Sequence, residues 1–307
     1  MTFETSIAEL ADPNKRLSAT QMVGLSGLDR DQVVTFTETW EEMTRERRLS
    51  LITDLAELIE DNVDLDYDAI FKLALEDEDP AVRAAAIAGL HEYEGGDLIP
   101  VLAGLLLGDP ESEVRAEAAV ALGRYALAAE FERLHASDAA AVKAALTESV
   151  EDEDEDDIVR AKAIEALGVL SDEETRSLIE NIYGEERLWL QIGAVDAMGR
   201  SCDEAWLPIV ISEMTNKAPE MRQAAAFAAG EIAGEDAIEP LTQVAVHDPD
   251  RQVQLAAIHA LGEIGGRVAK VALQAVIYEG DDELQDAVEE AMAEVKFKED
   301  PLNPIGS

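Results

Sequence analysis

The groups in this chain with chemistry to offer are carboxylates, four histidines and one cysteine. The densest carboxylate run is ESVEDEDEDD (148–157), in which eight of ten residues are acidic. Asp152, Asp154 and Asp156 alternate as the oxygen ligands of a calcium loop would. No glycine follows at the turn, however, and no distal glutamate closes the coordination sphere. The run reads as a solvated acidic turn. His91, His135, His247 and His259 lie far apart in the chain, and with Cys202 they make no zinc spacing. Cys202 has no histidine beside it, no serine sits in a nucleophile motif, and Gly95-Gly96 and Gly265-Gly266 belong to no phosphate loop. Carboxylate pairs are too abundant to single any out. The reading is of a non-catalytic protein with no cofactor and no metal.

The charge balance narrows the partners. Net charge is −43 over 307 residues. Duplex DNA carries about one negative charge per 1.7 Å and is bound through clustered Lys and Arg, so nucleic acid is excluded as a partner. Anionic membrane surfaces are excluded for the same reason. Basic proteins are attracted within about 8 Å at physiological salt. The acidity also keeps an alanine-rich surface soluble, and with 8 Lys against 16 Arg it fits a salt-adapted or GC-rich source as well. One cysteine permits no internal disulfide. No basic segment followed by an apolar run opens the chain, and no apolar run approaches the length of a membrane span. The expected setting is the cytoplasm.

A repeated unit in the chain would position any site. An apolar residue followed by Arg or Gln recurs at Val82-Arg83, Val114-Arg115, Val159-Arg160, Leu190-Gln191, Met221-Arg222, Val253-Gln254 and Leu284-Gln285. The spacing is 31 or 32 residues everywhere except one step of 45. Three positions beyond the Arg or Gln stand Ala86, Ala118, Ala163, Ala194, Ala225 and Ala257. Small and apolar residues follow at six and seven, the spacing of one helix face. Gly123, Gly168, Gly199, Gly230 and Gly262 come next, either as left-handed helix caps or as part of a last turn packed on a neighbour. A second apolar helix precedes each of these, as in LIPVLAGLLL (98–107), WLPIVISEM (206–214) and IEPLTQVAV (238–246). Asp97, Asp203 or Glu204, and Asp236 stand at its start, with Pro100, Pro208 and Pro240 in its first turn. The unit is helix, turn, helix.

The pattern D-P-x-V-R-x-x-A-x-x-A-L-G resembles the HEAT repeats of the phycobilisome-lyase type. DPAVRAAAIAGL, DPESEVRAEAAVALG and DPDRQVQLAAIHALGEIG carry the resemblance most fully, and it extends over about residues 65–295. It implies an all-α fold, an α-solenoid of HEAT-like helical hairpins forming a superhelix, with second helices on its concave side. It also implies that Asp79, Asp109 and Asp248, with Arg83, Arg115, Arg160 and Arg222, tie adjacent repeats together. Gln191, Gln254 and Gln285 depart from the arginine, so the ladder is expected to be incomplete there. One such hairpin cannot bury its apolar face alone, and stacking supplies the core.

Three segments are expected: a divergent helical N-terminal cap (1–64), the solenoid (65–296) with a longer repeat around 124–157, and a flexible tail (297–307). Deoxyhypusine hydroxylases, which also use HEAT-like repeats, place His-Glu pairs directly after the repeat arginine. Here those positions hold Ala84-Ala85, Ala116-Glu117, Ala161-Lys162, Ile192-Gly193, Gln223-Ala224 and Leu255-Ala256, and His91-Glu92 lies at the end of its helix. That activity is not expected.

Residues one and five beyond the repeat Arg or Gln share a helix face. In the later repeats these are Ile192 and Asp196, Gln223 and Phe227, Leu255 and His259. They define a candidate partner-binding groove, edged by Arg200, Glu231 and Glu263. It would hold a protein segment carrying apolar anchors and basic residues. The alternative is that these side chains only pack between helices. Trp189 and Trp206 are expected in the core. The expected role is a protein-binding scaffold or adaptor. The alternatives are a bilin-lyase-like subunit, or an acidic charge mimic that binds basic proteins.

Overall fold

The chain is rich in alanine and leucine, poor in aromatics, and punctuated every 30 residues or so by Asp, Pro and Gly. Such a sequence forms short helices with abrupt ends. The computed structural model describes residues 3–10, 18–62, 64–279 and 282–299, and among these there is no strand. The helices are α1 (Phe3–Leu10), α2 (Ala19–Val23), α3 (Arg30–Glu42), α4 (Arg45–Asp61), α5 (Asp68–Ala74), α6 (Pro80–Gly89), α7 (Ile99–Gly108), α8 (Ser112–Glu130) and α9 (Ala136–Glu151). They continue as α10 (Asp157–Leu167), α11 (Glu173–Tyr183), α12 (Leu188–Arg200), α13 (Leu207–Glu213), α14 (Pro219–Ile232), α15 (Ile238–His247), α16 (Arg251–Ile264), α17 (Gly266–Glu279) and α18 (Asp282–Glu299). The fold is an all-α solenoid of helical hairpins. The tail expected at 297–307 falls, beyond residue 299, outside the described residues.

The chain forms two compact units, residues 1–125 and 126–307. In the first, α3 packs on α5 and α4 on α6. Its core adds aromatics to the aliphatic side chains: Phe36, Trp40, Tyr67 and Phe71 are all buried. Their polar atoms are satisfied, with Trp40 Nε1 donating to Asp77 at 2.9 Å and the Tyr67 hydroxyl to the Met22 carbonyl at 2.9 Å. In the second unit the second helices α10, α12, α14, α16 and α18 pack in succession, each on the next. Val159, Leu190, Met221 and Val253, the apolar residues of the repeat signature, are essentially fully buried between the layers. One such side chain contributes about 1.5–3 kcal/mol, so a hairpin left unstacked forfeits several of these at once.

The repeat arginine or glutamine is in every case the fourth residue of its helix. Helical side chains point back toward the N-terminus, so a long fourth side chain covers the turn before it. Arg83 Nη1 thus reaches the Asp77 carbonyl at 2.8 Å, Arg115 Nη1 that of Asp109 at 2.7 Å, and Arg222 Nη1 that of Asn216 at 3.0 Å. The rest of the guanidinium is free to pair with the following repeat. Arg83 forms a two-pronged pair with Asp109 at 2.7 and 2.8 Å, and Arg222 with Asp248 at 2.6 and 2.7 Å. Arg160 reaches the Val150 carbonyl at 2.8 Å and Glu185 at 2.9 Å. Gln191 and Gln254 keep only the turn half, bonding the carbonyls of Tyr183 and Val246.

Arg48, too, is the fourth residue of its helix, and it pairs with Asp77 at 2.8 Å. The hairpin α3–α4 is therefore built like a repeat, although Arg47 stands where the others have an apolar residue. A second set of ion pairs links the first helices: Lys72 to Asp97, Lys143 to Asp172 and Arg176 to Asp203, at 2.8, 2.9 and 2.5 Å. The 45-residue step is a long α8, a turn with Glu132 at φ 56°, and a long α9. The acidic run supplies turn acceptors: Asp152 takes the Asp154 N–H at 3.0 Å, and Asp156 caps α10 through the Ile158 N–H at 2.9 Å.

Candidate functional site

The wall that carries the candidate residues is set by glycine. A Cβ on Gly199 would stand 2.7 Å from the Ala228 Cα, one on Gly230 2.9 Å from the Ala260 Cα, and one on Gly262 3.1 Å from the Ala291 Cβ. Gly193 and Gly168 meet the backbones of Ala161 and Ala197 at 2.7 and 2.6 Å in the same way. Gly168, Gly199, Gly230 and Gly262, each eight beyond the repeat Arg or Gln, therefore abut the alanine six beyond it in the following repeat, and Gly193 meets the repeat before it. These are the packed last turns, not left-handed caps. Residues with positive φ come three later, at Cys202 (φ 51°), Ala233 (φ 58°) and Gly265 (φ 66°), of which Ala233 is a left-handed helix cap.

On this wall the structure brings most of the candidate residues together. Gln223, Phe227, Leu255 and His259 surround a recess of about 390 Å³, closed on the far side by Ala287, Glu290 and Glu294 of α18. Phe227 and His259 also border a second recess of about 380 Å³ with Glu165, Asp196, Arg200, Glu231 and Glu263. The two aromatic rings meet edge to face, with centroids 5.8 Å apart and planes at 81°. Phe227 is 41% exposed. The result is a trough with an aromatic ridge in its middle. Ile192 is 9% exposed and lines neither recess. It shares the register of Gln223 and Leu255 but is covered by its surroundings.

The second recess is electrostatically unbalanced. Glu165 engages both nearby cations, Lys162 at 2.7 Å and Arg200 at 3.0 Å. Asp196 is left with no hydrogen bond to a described residue, half-buried beside carboxylates. Burial first, then the charges of Glu165 and Glu231, push its carboxyl up to about 7 against the pull of Lys162 and Arg200. Glu231 is pushed up as well, by desolvation first and by Glu165 and Glu263, against Arg200. Beside the ridge, His259, Glu263 and Glu294 present ligand atoms that all lie within 4.8 Å of one another. Glu263 is held below the usual carboxylate range, by hydrogen bonding with Glu294 first and then by Lys298.

Two features differ from the sequence reading or escape it. Trp206 is buried, with Arg176 stacked on its ring at 4.4 Å. Trp189, expected in the core, is 46% exposed. It is the second residue of α12, ahead of the first fully buried position at Leu190, so it projects past the packed layer. Glu294 and Lys298 escape sequence inspection, because they meet His259 and Glu263 only through the packing of α16 on α18. Their one sequence signal is register: Glu294 is nine beyond Gln285, as Glu263 is nine beyond Gln254.

A family profile described as HEAT repeats matches residues 67–153 and 207–293. A search against curated proteins returns no match. Among solved structures, the complex of CpcE and CpcF of phycocyanin lyase from Nostoc sp. PCC7120 aligns over 92% of this chain and 97% of that chain, at 16% identity and a TM-score of 0.53. The structure of Kap95p with RanGDP aligns over 95% of this chain and 45% of the other, at 12% identity and a TM-score of 0.51. Human deoxyhypusine hydroxylase covers 95% of each chain at 15% identity, with a TM-score of 0.38. At these identities the likeness to the first two is one of fold.

Proposed function

This chain belongs to the HEAT-repeat family, and we propose that it is a non-catalytic scaffold or adaptor whose second unit grips a segment of a partner protein in the α12–α18 trough. The observation that carries the reading is the exposed Phe227–His259 ridge between two recesses, on a wall whose spacing is fixed by backbone contact. A rigid aromatic edge flanked by pockets supplies contact area at little entropic cost. Leu255 and Phe227 suit an apolar anchor. Glu165, Asp196, Glu231 and Glu263 suit basic residues beside it, so the segment fitted best is an amphipathic or extended one with Arg or Lys next to a large apolar side chain. The likeness to CpcE and CpcF supports the fold and adds no bilin-specific feature. A cytoplasmic setting fits a chain with one unpaired thiol, Cys202, and among the described residues no helix is long and apolar enough to cross a membrane.

The test is a displayed peptide library panned in parallel on wild-type protein and on Phe227→Asp and Leu255→Asp variants, each first checked by circular dichroism. Enrichment of apolar-plus-basic peptides on wild type, lost on variants that stay folded, supports the reading. Equal enrichment on all three would mean that the acidic surface alone attracts basic peptides. Unfolding of both variants would mean that these side chains serve packing.

A further inference from the structure

We propose that His259, Glu263 and Glu294 form a binding site for a divalent first-row transition-metal ion, with Lys298 as the internal cation that the metal displaces. His259 and Glu263 are four residues apart on α16 and so share one face, and Glu294 reaches them from α18. An imidazole nitrogen and two carboxylate oxygens converge within 4.8 Å of one another. The Lys298 ammonium lies 3.1 Å from Glu263 Oε2 and 3.2 Å from Glu294 Oε1, which marks the point where positive charge is wanted. It also donates to the Glu263 carbonyl at 3.2 Å, and it leaves the imidazole unanswered. His259 makes no hydrogen bond to a described residue, and its ring meets that of Phe227 edge to face. A metal ion uses all three donors. The Lys298 side chain is 42% exposed, and an ion pair of that exposure is weakly held, so the ammonium can swing into solvent.

The donor set selects the class of ion. Magnesium and calcium take oxygen ligands, whereas an imidazole with two carboxylates suits zinc, manganese, iron or cobalt. Three protein ligands leave coordination positions for water. Those positions face the trough, because His259 borders both recesses while Glu263 lines one and Glu294 the other.

The experiment is a calorimetric titration of Zn²⁺ into the full-length protein in excess Mg²⁺, which occupies the diffuse surface carboxylates. One Zn²⁺ per chain is expected. His259→Ala and Glu294→Gln should each weaken it by about tenfold or more, at least the loss that an outer-shell change produces. His247→Ala, an exposed histidine outside the cluster, should leave it unchanged. Lys298→Met should tighten it, since the competing cation is gone. At one equivalent of Zn²⁺ the His259 ring signal in the NMR spectrum should shift and those of the other three histidines should not. Absence of a stoichiometric site in wild type, binding indifferent to His259→Ala, or no gain in Lys298→Met would overturn the assignment.

Discussion

Replacing Gly193 with alanine should destabilise the protein, while the same substitution at Gly104 should stabilise it. In a helix interior Gly→Ala gains about 0.5–1 kcal/mol from backbone entropy and helix propensity. Gly104 lies within α7, and a Cβ there meets nothing within 4 Å, so the full gain of about 0.5–1 kcal/mol is expected. A Cβ on Gly193 would sit 2.7 Å from both the Cα and the carbonyl oxygen of Ala161. Comfortable carbon contact begins near 3.5 Å, so α10 and α12 must part by most of an ångström. Overpacking of that kind costs about 1–3 kcal/mol, which after the propensity gain leaves a net loss of up to about 2.5 kcal/mol, centred near about 1 kcal/mol. Urea unfolding followed by far-ultraviolet circular dichroism reads the difference as opposite shifts of the midpoint at constant slope. Gly199→Ala should resemble Gly193→Ala, Gly230→Ala should lose less, and Gly262→Ala, at 3.1 Å, should be nearly neutral. If Gly193→Ala stabilised as much as Gly104→Ala, glycine would not be setting the distance between repeats.

The other expectations concern charge. Asp196 has a folded-state pKa of about 7 against an ordinary 3.8, so the folded state holds this proton more tightly than the unfolded chain. Its contribution is complete below about pH 4 and is lost as the pH rises through about 7, worth at most about 4 kcal/mol. Asp196→Asn should therefore flatten the stability profile between pH 4 and 8 and raise stability at pH 8 by about 2 kcal/mol, as seen in urea titrations at several pH values. Arg222→Ala strands the carboxylate of Asp248, whose side chain is 5% exposed, and should cost about 3 kcal/mol. Adding Asp248→Asn should recover much of that loss in a double-mutant cycle. Lys143→Ala, whose partner Glu174 is 72% exposed, should cost under about 1 kcal/mol in the same assay.

The hairpin repeat was legible because close helix approach demands small residues at fixed intervals, and nothing else in the chain competes with that signal. The repeat at α3–α4 was hidden by one residue. Arg47 breaks the apolar-Arg signature, yet Arg48 keeps the fourth-position geometry. The glycines were legible as a register but not as contacts, since sequence spacing cannot tell a cap from a packed turn. Trp189 misled because its apolar character argues for burial, whereas its place at the tip of α12 decides the matter. Phe227, Leu255 and His259 could be read onto one side because i and i+4 positions share a helix face. Which of them stand open depends on how far each helix turns against the next, and Ile192 shows that register alone does not reveal it. The cluster around His259 joins residues 31 to 39 apart through α18, a helix in which Glu294 and Lys298 are two charged residues among many.

The glycine–alanine seam has a mechanical consequence for the second unit. Where backbone abuts backbone there are no side chains to change rotamer or slide, so that layer neither stretches nor compresses. The first helices α11, α13, α15 and α17 are spaced by larger side chains such as Ile182, Val210, Leu241 and Leu273, which can re-pack. Under load the unit therefore bends as a beam does, with the seam as its neutral line and the first-helix layer taking up the strain. The repeat-to-repeat pitch of Asp196, Phe227 and His259 stays constant while the curvature changes. The second unit is a flexible strip with a fixed ruler printed along one side.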